Sequence, residues 1–423
     1  MTPETPKGMR LHIGLLGRRN VGKSSILNAL TRQQVSIVSP VAGTTTDPVE
    51  KAMELLPLGP VVFIDTAGID DEGALGELRV LKTRRVLDRT DLGILVAEAG
   101  QWGPFEDQIL AELAARKVPA VVVFNKVDLG RPAAEQLAAL SEKKIPVAQM
   151  VASEARGVPE LRDALLAAAP EGFLDNPSIL RDLVAPGELA VLVVPIDQEA
   201  PRGRLILPQV QAIRDLLDGD AMALVVKEHQ LKGALGRLAH PPKLVVTDSQ
   251  AFRKVAADTP PSVPMTSFSI LMSRFKGDLL SQVEGALAIA TLEPGDRVLV
   301  AEACTHHSVE DDIGRVKIPR LLTQHVGGEL QFAHAQGQDF PQDLTPYRLV
   351  IHCGACTFNR RGMLSRIERA RRQGVPITNY GLAIAYSLGI FERALGPFPA
   401  ALERFRALSS PTRAELQAKA GGR

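Results

Sequence analysis

At positions 17–24 the chain reads GRRNVGKS, directly after the apolar run LHIGLLG and directly before a stretch with helical spacing, Lys23–Thr31. Few eight-residue segments restrict a fold as strongly. The pattern G-x-x-x-x-G-K-[ST] calls for a strand that hands its chain straight to a helix N-terminus. The glycines let backbone N–H groups curl around phosphate oxygens, and the helix adds a favourable field. Lys23 is expected to set its ammonium between β- and γ-phosphates, and the Ser24 hydroxyl to ligate Mg²⁺. Gly17, Asn20, Val21, Gly22 and Ser25 complete the expected phosphate cradle.

Three further motifs follow in order. DTAG at 65–68 ends the run VVFIDTAG, where Asp65 suits a metal-side aspartate and the Gly68 N–H can sense a γ-phosphate. NKVD at 125–128 ends AVVVFNKVD at the same carboxyl edge, where nucleotides bind in such sheets. There Asn125 and Lys126 flank Asp128, whose carboxylate can accept two hydrogen bonds from guanine N1–H and the exocyclic amine. Adenine offers neither, so a site built this way rejects it. Between these motifs, GTTTD at 43–47 supplies a switch threonine, Thr45 or Thr46, to close over Mg²⁺ and γ-phosphate. VASEARGV at 151–158 loosely matches a guanine-capping loop and offers Ser153. Together these features imply a GTPase domain that turns GTP into GDP and phosphate.

Ile69 and Asp70 follow DTAG where a water-positioning glutamine is usual. Intrinsic hydrolysis is therefore expected to be slow, on the order of 10⁻⁴ to 10⁻² s⁻¹ without an activating contact. Asn20 resembles the asparagine of potassium-activated GTPases of the Era/TrmE-like group. In that group a K⁺ held by this side chain and switch-I carbonyls stands where an arginine finger would act. The plainer alternative is that Asn20 braces the loop.

A length of 423 residues leaves room for about two to four domains. The P-loop GTPase domain, of α/β class, is expected over 9–172, ahead of a proline-spaced linker. A small α/β domain at 178–260 has strands LAVLVVPI, AMALVVK and KLVVTD but no cysteine and no catalytic cluster. It reads as a homodimerisation domain, since so small a unit gains from being covered. After DTPPSVP, a third α/β domain at 263–405 carries RVLVAEA, ELQFAH, RLVIHCG and PITNY, and 406–423 forms a C-terminal tail. No apolar run is long enough to cross a bilayer and no signal peptide is visible, so a cytoplasmic protein is the default expectation. A net charge of +1 gives no global pull toward nucleic acid.

All the soft-metal chemistry lies in the last third. The three cysteines are Cys304, Cys353 and Cys356, and His306, His307, His325, His334 and His352 fall between the first two. So sparse and odd a count argues against a disulfide framework. Cys304-Thr-His306 follows one predicted strand and His352-Cys353-Gly-Ala-Cys356 another; if these strands are parallel, both motifs share one carboxyl edge. Asn359-Arg360-Arg361, opening the next helix, would turn positive charge and N–H dipoles toward the thiolates. Asn379-Tyr380-Gly381 ends another predicted strand and could line the same crevice. The residues leave three readings open: a Cys₃His zinc site, a [4Fe–4S] cluster on three cysteines with His306 or His352 at the fourth iron, or plain buried cysteines. His307, His325 and His334 read as solvated or structural. The radical-SAM pattern C-x₃-C-x₂-C is absent.

A GTPase domain, a small middle domain and a C-x-H-x₄₅-H-C-x-x-C domain together resemble the HydF family, the maturation GTPases and scaffolds of [FeFe]-hydrogenases. EACTHHSVEDDIGRVKIPRLL, PITNYG and APRGRLILPQVQAIRDLLD carry the resemblance, which spans about 10–400. It implies that Cys304, Cys353 and Cys356 bind a [4Fe–4S] cluster whose fourth site, at His306 or His352, is exchangeable. It also implies a transient diiron precursor, received from radical-SAM maturases and delivered to apo-[FeFe]-hydrogenase, and a dimeric middle domain. The alternative from another class is an Era- or TrmE-like GTPase acting on RNA or ribosome assembly, with a structural zinc domain. That reading needs a basic RNA-binding face, but no KH-type GxxG loop or RNP-like run is present and aromatics are only 4% of the chain.

Overall fold

Short β-branched runs separated by amphipathic helices become parallel strands because each is apolar on both faces and needs cover on both. The computed structural model describes residues 5–31, 49–56, 58–65, 85–170, 178–195, 205–303 and 312–409. The chain divides into two units, Met1–Asn176 and Pro177–Arg423.

The first unit is built on β1 (Leu11–Leu16), β2 (Val49–Leu55), β3 (Gly59–Asp65), β4 (Leu92–Glu98), β5 (Ala120–Asn125) and β6 (Val147–Met150). The sheet order is β2-β3-β1-β4-β5-β6, with only β2 antiparallel to its neighbour. Alternation along β5 shows the two-sided burial. Val121 and Val123 face one core with Ile26, Leu30, Leu161 and Leu165; Val122 and Phe124 face the other with Ile109, Leu113 and Leu140. The first core is covered by the helices Lys23–Thr31 and Val158–Ala168, the second by Pro104–Ala115 and Ala134–Glu142. Strand order reverses on either side of β1, and the carboxyl ends of β1, β3 and β5 therefore open onto one crevice.

The second unit holds two four-stranded, all-parallel sheets. One is β10-β9-β7-β8, from β7 (Leu189–Val193), β8 (Met222–Val226), β9 (Leu244–Thr247) and β10 (Met265–Ser267). The other is β12-β11-β13-β14, from β11 (Arg297–Ala301), β12 (Gln331–Ala335), β13 (Leu349–His352) and β14 (Ile377–Asn379). The expected α/β class holds throughout. Met265–Ser267 still pairs with β9, so the chain runs past the proline-rich 258–264 before leaving the middle sheet. The sheets are tied together by Arg274, which donates to Asp182 Oδ1 and Oδ2 at 2.6 and 2.9 Å, and by Ser269 Oγ, which donates to Asn379 Oδ1 at 2.9 Å. Edge strand β8 and the helix Leu207–Asp218 keep apolar side chains in solvent: Met222 is 53% exposed, Val225 42% and Leu217 56%.

Candidate functional site

The phosphate loop closes the end of β1. Gly17 has φ +142 and Gly22 φ +97; a Cβ on Gly17 would lie 2.3 Å from the Val96 carbonyl, and one on Gly22 2.2 Å from Asn125 Nδ2. Both positions are thus closed to side chains by conformation and by close approach. Asn20 also has positive φ, +62, and is exposed. Lys23 is buried and its Nζ donates to the Gly17 and Arg18 carbonyls at 2.7 and 2.6 Å, which holds the ammonium over the loop. Arg18, in turn, makes a bidentate pair with the fully buried Glu106 at 2.7 and 2.9 Å.

Ser24 Oγ donates to Asp65 Oδ2 at 3.1 Å, while Asp65 Oδ1 is buried with no hydrogen-bond partner among the described residues. Burial pushes the Asp65 carboxyl above its ordinary range, against the pull of Lys23 and Ser24. A hydroxyl beside a buried carboxylate oxygen that lacks a partner suits a hard divalent cation, so these residues fit Mg²⁺. Ser25 is exposed on the same first helical turn. Thr45, Thr46 and Gly68 lie outside the described residues.

Asn125 has a different role from its neighbours. It is buried; its Nδ2 donates to the Val21 carbonyl at 2.8 Å and its Oδ1 accepts from Ala152 N–H at 3.0 Å. It therefore fastens the phosphate loop to the turn Ala152–Glu154 that carries the exposed Ser153. Lys126, at φ +61, pairs with Glu98 at 2.7 Å, and Asp128 is exposed.

In the second unit, β11 and β13 are adjacent and parallel, with Ala301 opposite His352. Their carboxyl ends meet: Cys353 Sγ accepts from Ala303 N–H at 3.1 Å and from Ala355 N–H at 3.4 Å. Ala303 immediately precedes Cys304, which lies outside the described residues together with His306 and His307. The Cys353–Cys356 turn is sharpened by Ala355 at φ +51. Burial and the neighbouring Cys356 push the Cys353 thiol up to about 12, and a bound metal's charge would favour the thiolate. Two backbone N–H groups on one sulfur, with a second cysteine three residues on, form a donor set that fits a thiolate-ligated cluster. Among the described residues no group of three or more His, Cys, Asp or Glu is gathered as a metal site.

His352 departs from the expected ligand role. It is completely buried, its Nδ1–H donates to the Cys353 carbonyl at 2.9 Å, and its Nε2 accepts from Arg366 Nη1 at 2.7 Å. Burial and the Arg366 charge pull the imidazole down to about 3, and neither nitrogen keeps a lone pair for a metal. The Arg360 expectation also fails: its Nη1 donates to the Arg274 and Phe275 carbonyls at 3.1 and 2.8 Å, the C-terminal end of the helix Phe268–Lys276. Asn359 caps the helix Arg360–Arg372 through Gly362 N–H at 3.2 Å. Among the described residues a buried cation that sequence spacing does not mark, Arg366, is linked to the Cys353 backbone through His352. Asn379 likewise caps Tyr380–Ser387, and Tyr380 donates to the buried Glu302 at 3.2 Å, two residues before Cys304.

Residues 179–277 match the family model of the hydrogen maturase F dimerization domain, and 280–397 that of its tetramerization domain, between them just over half of the chain. The chain belongs to the hydrogen maturase F (HydF) family. Residues 12–126 match the 50S ribosome-binding GTPase model, so this HydF chain couples a P-loop GTPase domain to the family's dimerization and tetramerization domains. The middle domain is thus the dimerization domain expected from sequence. The cysteine domain matches the family's tetramerization domain. Among curated proteins the chain is similar to the tRNA modification GTPase MnmE of Bordetella petrii, 38% identical over 162 residues, covering 38% of this chain and 34% of the relative. It is also similar to GTPase Der of a Nitratiruptor species, 35% identical over 130 residues, covering 30% of this chain and 28% of that one. The chain spans about a third of the length of these relatives. A solved structure of Era with MgGDPNP and a 16S ribosomal RNA segment is 22% identical with a TM-score of 0.33, covering 51% of this chain and 92% of that one. No helix among the described residues is long and apolar enough to cross a membrane.

Proposed function

We propose that this protein hydrolyses GTP at the 17–24 loop and uses its nucleotide state to govern a carrier domain. That domain holds a [4Fe–4S] cluster on Cys304, Cys353 and Cys356, accepts a diiron precursor from radical-SAM maturases and delivers it to apo-[FeFe]-hydrogenase. The observation that carries the reading is the hydrogen bond from Ala303 N–H to Cys353 Sγ. It supports the meeting of the Cys304 and Cys353 loops at one sheet edge, in a chain built from both HydF domains.

In the GTPase domain the backbone from Gly17 to Ser24 binds phosphate oxygens, and Lys23 exchanges its loop carbonyls for them. Asp128 selects guanine, Asn125 holds loop and base turn in register, and Ser153 borders the base. Mg²⁺, when bound at Ser24 and Asp65, neutralises charge on the β- and γ-phosphates. K⁺ beside Asn20 would supply the charge that an arginine finger gives other GTPases. Thr45, Thr46 and Gly68 stay assigned to the switches that sense the γ-phosphate. In the carrier domain the cysteines bind and His352 orients the Cys353 backbone, which leaves His306 as the histidine for the fourth, exchangeable position. The exposed edge around Met222, Leu217 and Val225 supports dimerisation through the middle sheet.

Anaerobic reconstitution with iron and sulfide tests this directly. About four irons per chain and a reduced-cluster EPR signal are expected. Cys353→Ala should lose both while GTP turnover persists, and His352→Gln should keep its iron. One tightly held zinc without a signal would refute the carrier reading and favour a structural zinc domain. Loss of GTP turnover in Cys353→Ala would refute the division of labour.

A further inference from the structure

The helix Arg360–Arg372 carries six arginines, and one of them turns inward. Arg366 is only 6% exposed. Its guanidinium lies between the rings of Phe340 and Phe358, 4.7 and 4.5 Å from their centroids. Nη1 donates to His352 Nε2 at 2.7 Å and Nη2 to the Gly337 carbonyl. Every one of these partners is neutral: two rings, a backbone carbonyl, and an imidazole whose Nδ1–H is spent on the Cys353 carbonyl. No carboxylate among the described residues forms an ion pair with it. Arg369, of the same sign, shares the Phe340 ring with it at 5.7 Å, and His352 links the guanidinium to the Cys353 backbone.

A buried cation is tolerated when an anion answers it, and is costly otherwise. The neutral partners that surround Arg366 give no such answer. Cysteines committed as thiolates to an iron–sulfur cluster would give one, because the cluster with its thiolates carries net negative charge. We infer that Arg366 is the built-in counter-cation of the cysteine site, held by Phe340, Phe358 and His352 so that its charge bears on the cluster across Cys353. This rests on the proposal above that these cysteines hold a cluster. A fixed positive charge stabilises the reduced form, which is more negative by one, and so raises the reduction potential. His352 then acts as a rigid spacer: it orients the guanidinium with one nitrogen and the Cys353 backbone with the other. Sequence spacing conceals this, since Arg366 looks like any other basic residue on a basic helix.

The test compares reconstituted wild type, Arg366→Gln and Arg366→Lys by EPR-monitored redox titration, with circular dichroism and iron content as controls. In Arg366→Gln the equilibrium constant for reduction should fall at least tenfold, a shift of about 59 mV or more to negative potential for a one-electron couple. Arg366→Lys keeps the charge and should stay within about threefold of wild type. An Arg366→Gln protein that is folded, fully loaded and unshifted would overturn the inference. If Arg366→Gln fails to fold, Phe358→Leu keeps the arginine but admits water beside it, and should lower the constant about threefold; an unchanged value would overturn the inference equally. Should wild type itself take up no iron, the carrier proposal fails, and this inference falls with it for that separate reason.

Discussion

Removing the Asn125 side chain should weaken the GTPase domain far more than a guanine-contact role would suggest. Asn125 is 3% exposed and joins three segments: β5 carries it, its Nδ2 meets the Val21 carbonyl at 2.8 Å, and its Oδ1 meets Ala152 N–H at 3.0 Å. In Asn125→Ala both backbone groups stay buried, Val21 at 3% and Ala152 at 7% exposure, and both lose their partner. An orphaned buried group costs about 1–3 kcal/mol; at about 1–2 kcal/mol for each of these backbone groups, the pair should cost about 2–4 kcal/mol. The assay is unusually clean because Trp102 is the single tryptophan of the chain and its ring lies 5.6 Å from Phe124, next to Asn125. Its fluorescence reports this domain alone, which matters in a multidomain chain where one global unfolding energy is undefined. With a slope of about 2 kcal/mol per molar urea, the Trp102 midpoint should drop by about 1–2 M at unchanged slope. A shift under about 0.5 kcal/mol, the range of ordinary surface substitutions, would show that Asn125 does not brace the loop.

Three further outcomes follow from other parts of the structure. Asp65→Asn should raise the nucleotide-free Trp102 midpoint while abolishing Mg²⁺-dependent GTP hydrolysis. Because burial raises the folded-state Asp65 carboxyl, its stabilising contribution is complete at acid pH and is lost as pH rises through the folded value; at neutral pH the anion is therefore a cost that Asn removes. A pH series of urea midpoints should show that dependence in wild type and not in the variant. Asp128→Asn should weaken GTP binding on the order of 10²-fold or more and improve competition by xanthosine triphosphate, whose C2 carbonyl accepts from the new amide; equal loss for both nucleotides would contradict the assigned base contact. Val225→Lys places a charge on the exposed edge strand β8 and should weaken the dimer at least about tenfold, read as a fall in light-scattering mass; an unchanged mass would move the interface elsewhere.

The motifs were legible in sequence for a physical reason. Phosphate binding uses consecutive backbone N–H groups, so its signature must be contiguous, and Gly17, Gly22, Lys23 and Ser24 lie between the end of β1 and the first turn of the helix Lys23–Thr31. The α/β class was equally legible, because parallel strands buried on both faces must be apolar runs with helices between them. The share of β10 in the middle sheet was not, since a three-residue strand after a proline-rich segment carries no period of its own.

Side-chain roles that depend on distant partners were also hidden. His352 beside two cysteines looks like a ligand until Arg366, fourteen residues on, occupies its Nε2. Arg360 opens a helix near the thiolates, yet it is drawn to the free carbonyls ending Phe268–Lys276, which the sequence places 85 residues away. Asn125 belongs to a base-recognition motif, but its amide is spent on Val21 and Ala152. Residue type and local spacing were enough to read a GTPase domain and to mark the cysteines as candidate ligands, because both are local properties of the chain. Which ring nitrogen is taken, which cation is buried and which carboxylate oxygen lacks a partner emerged from the packed fold alone, because hydrogen bonds saturate and desolvation depends on everything packed around a group.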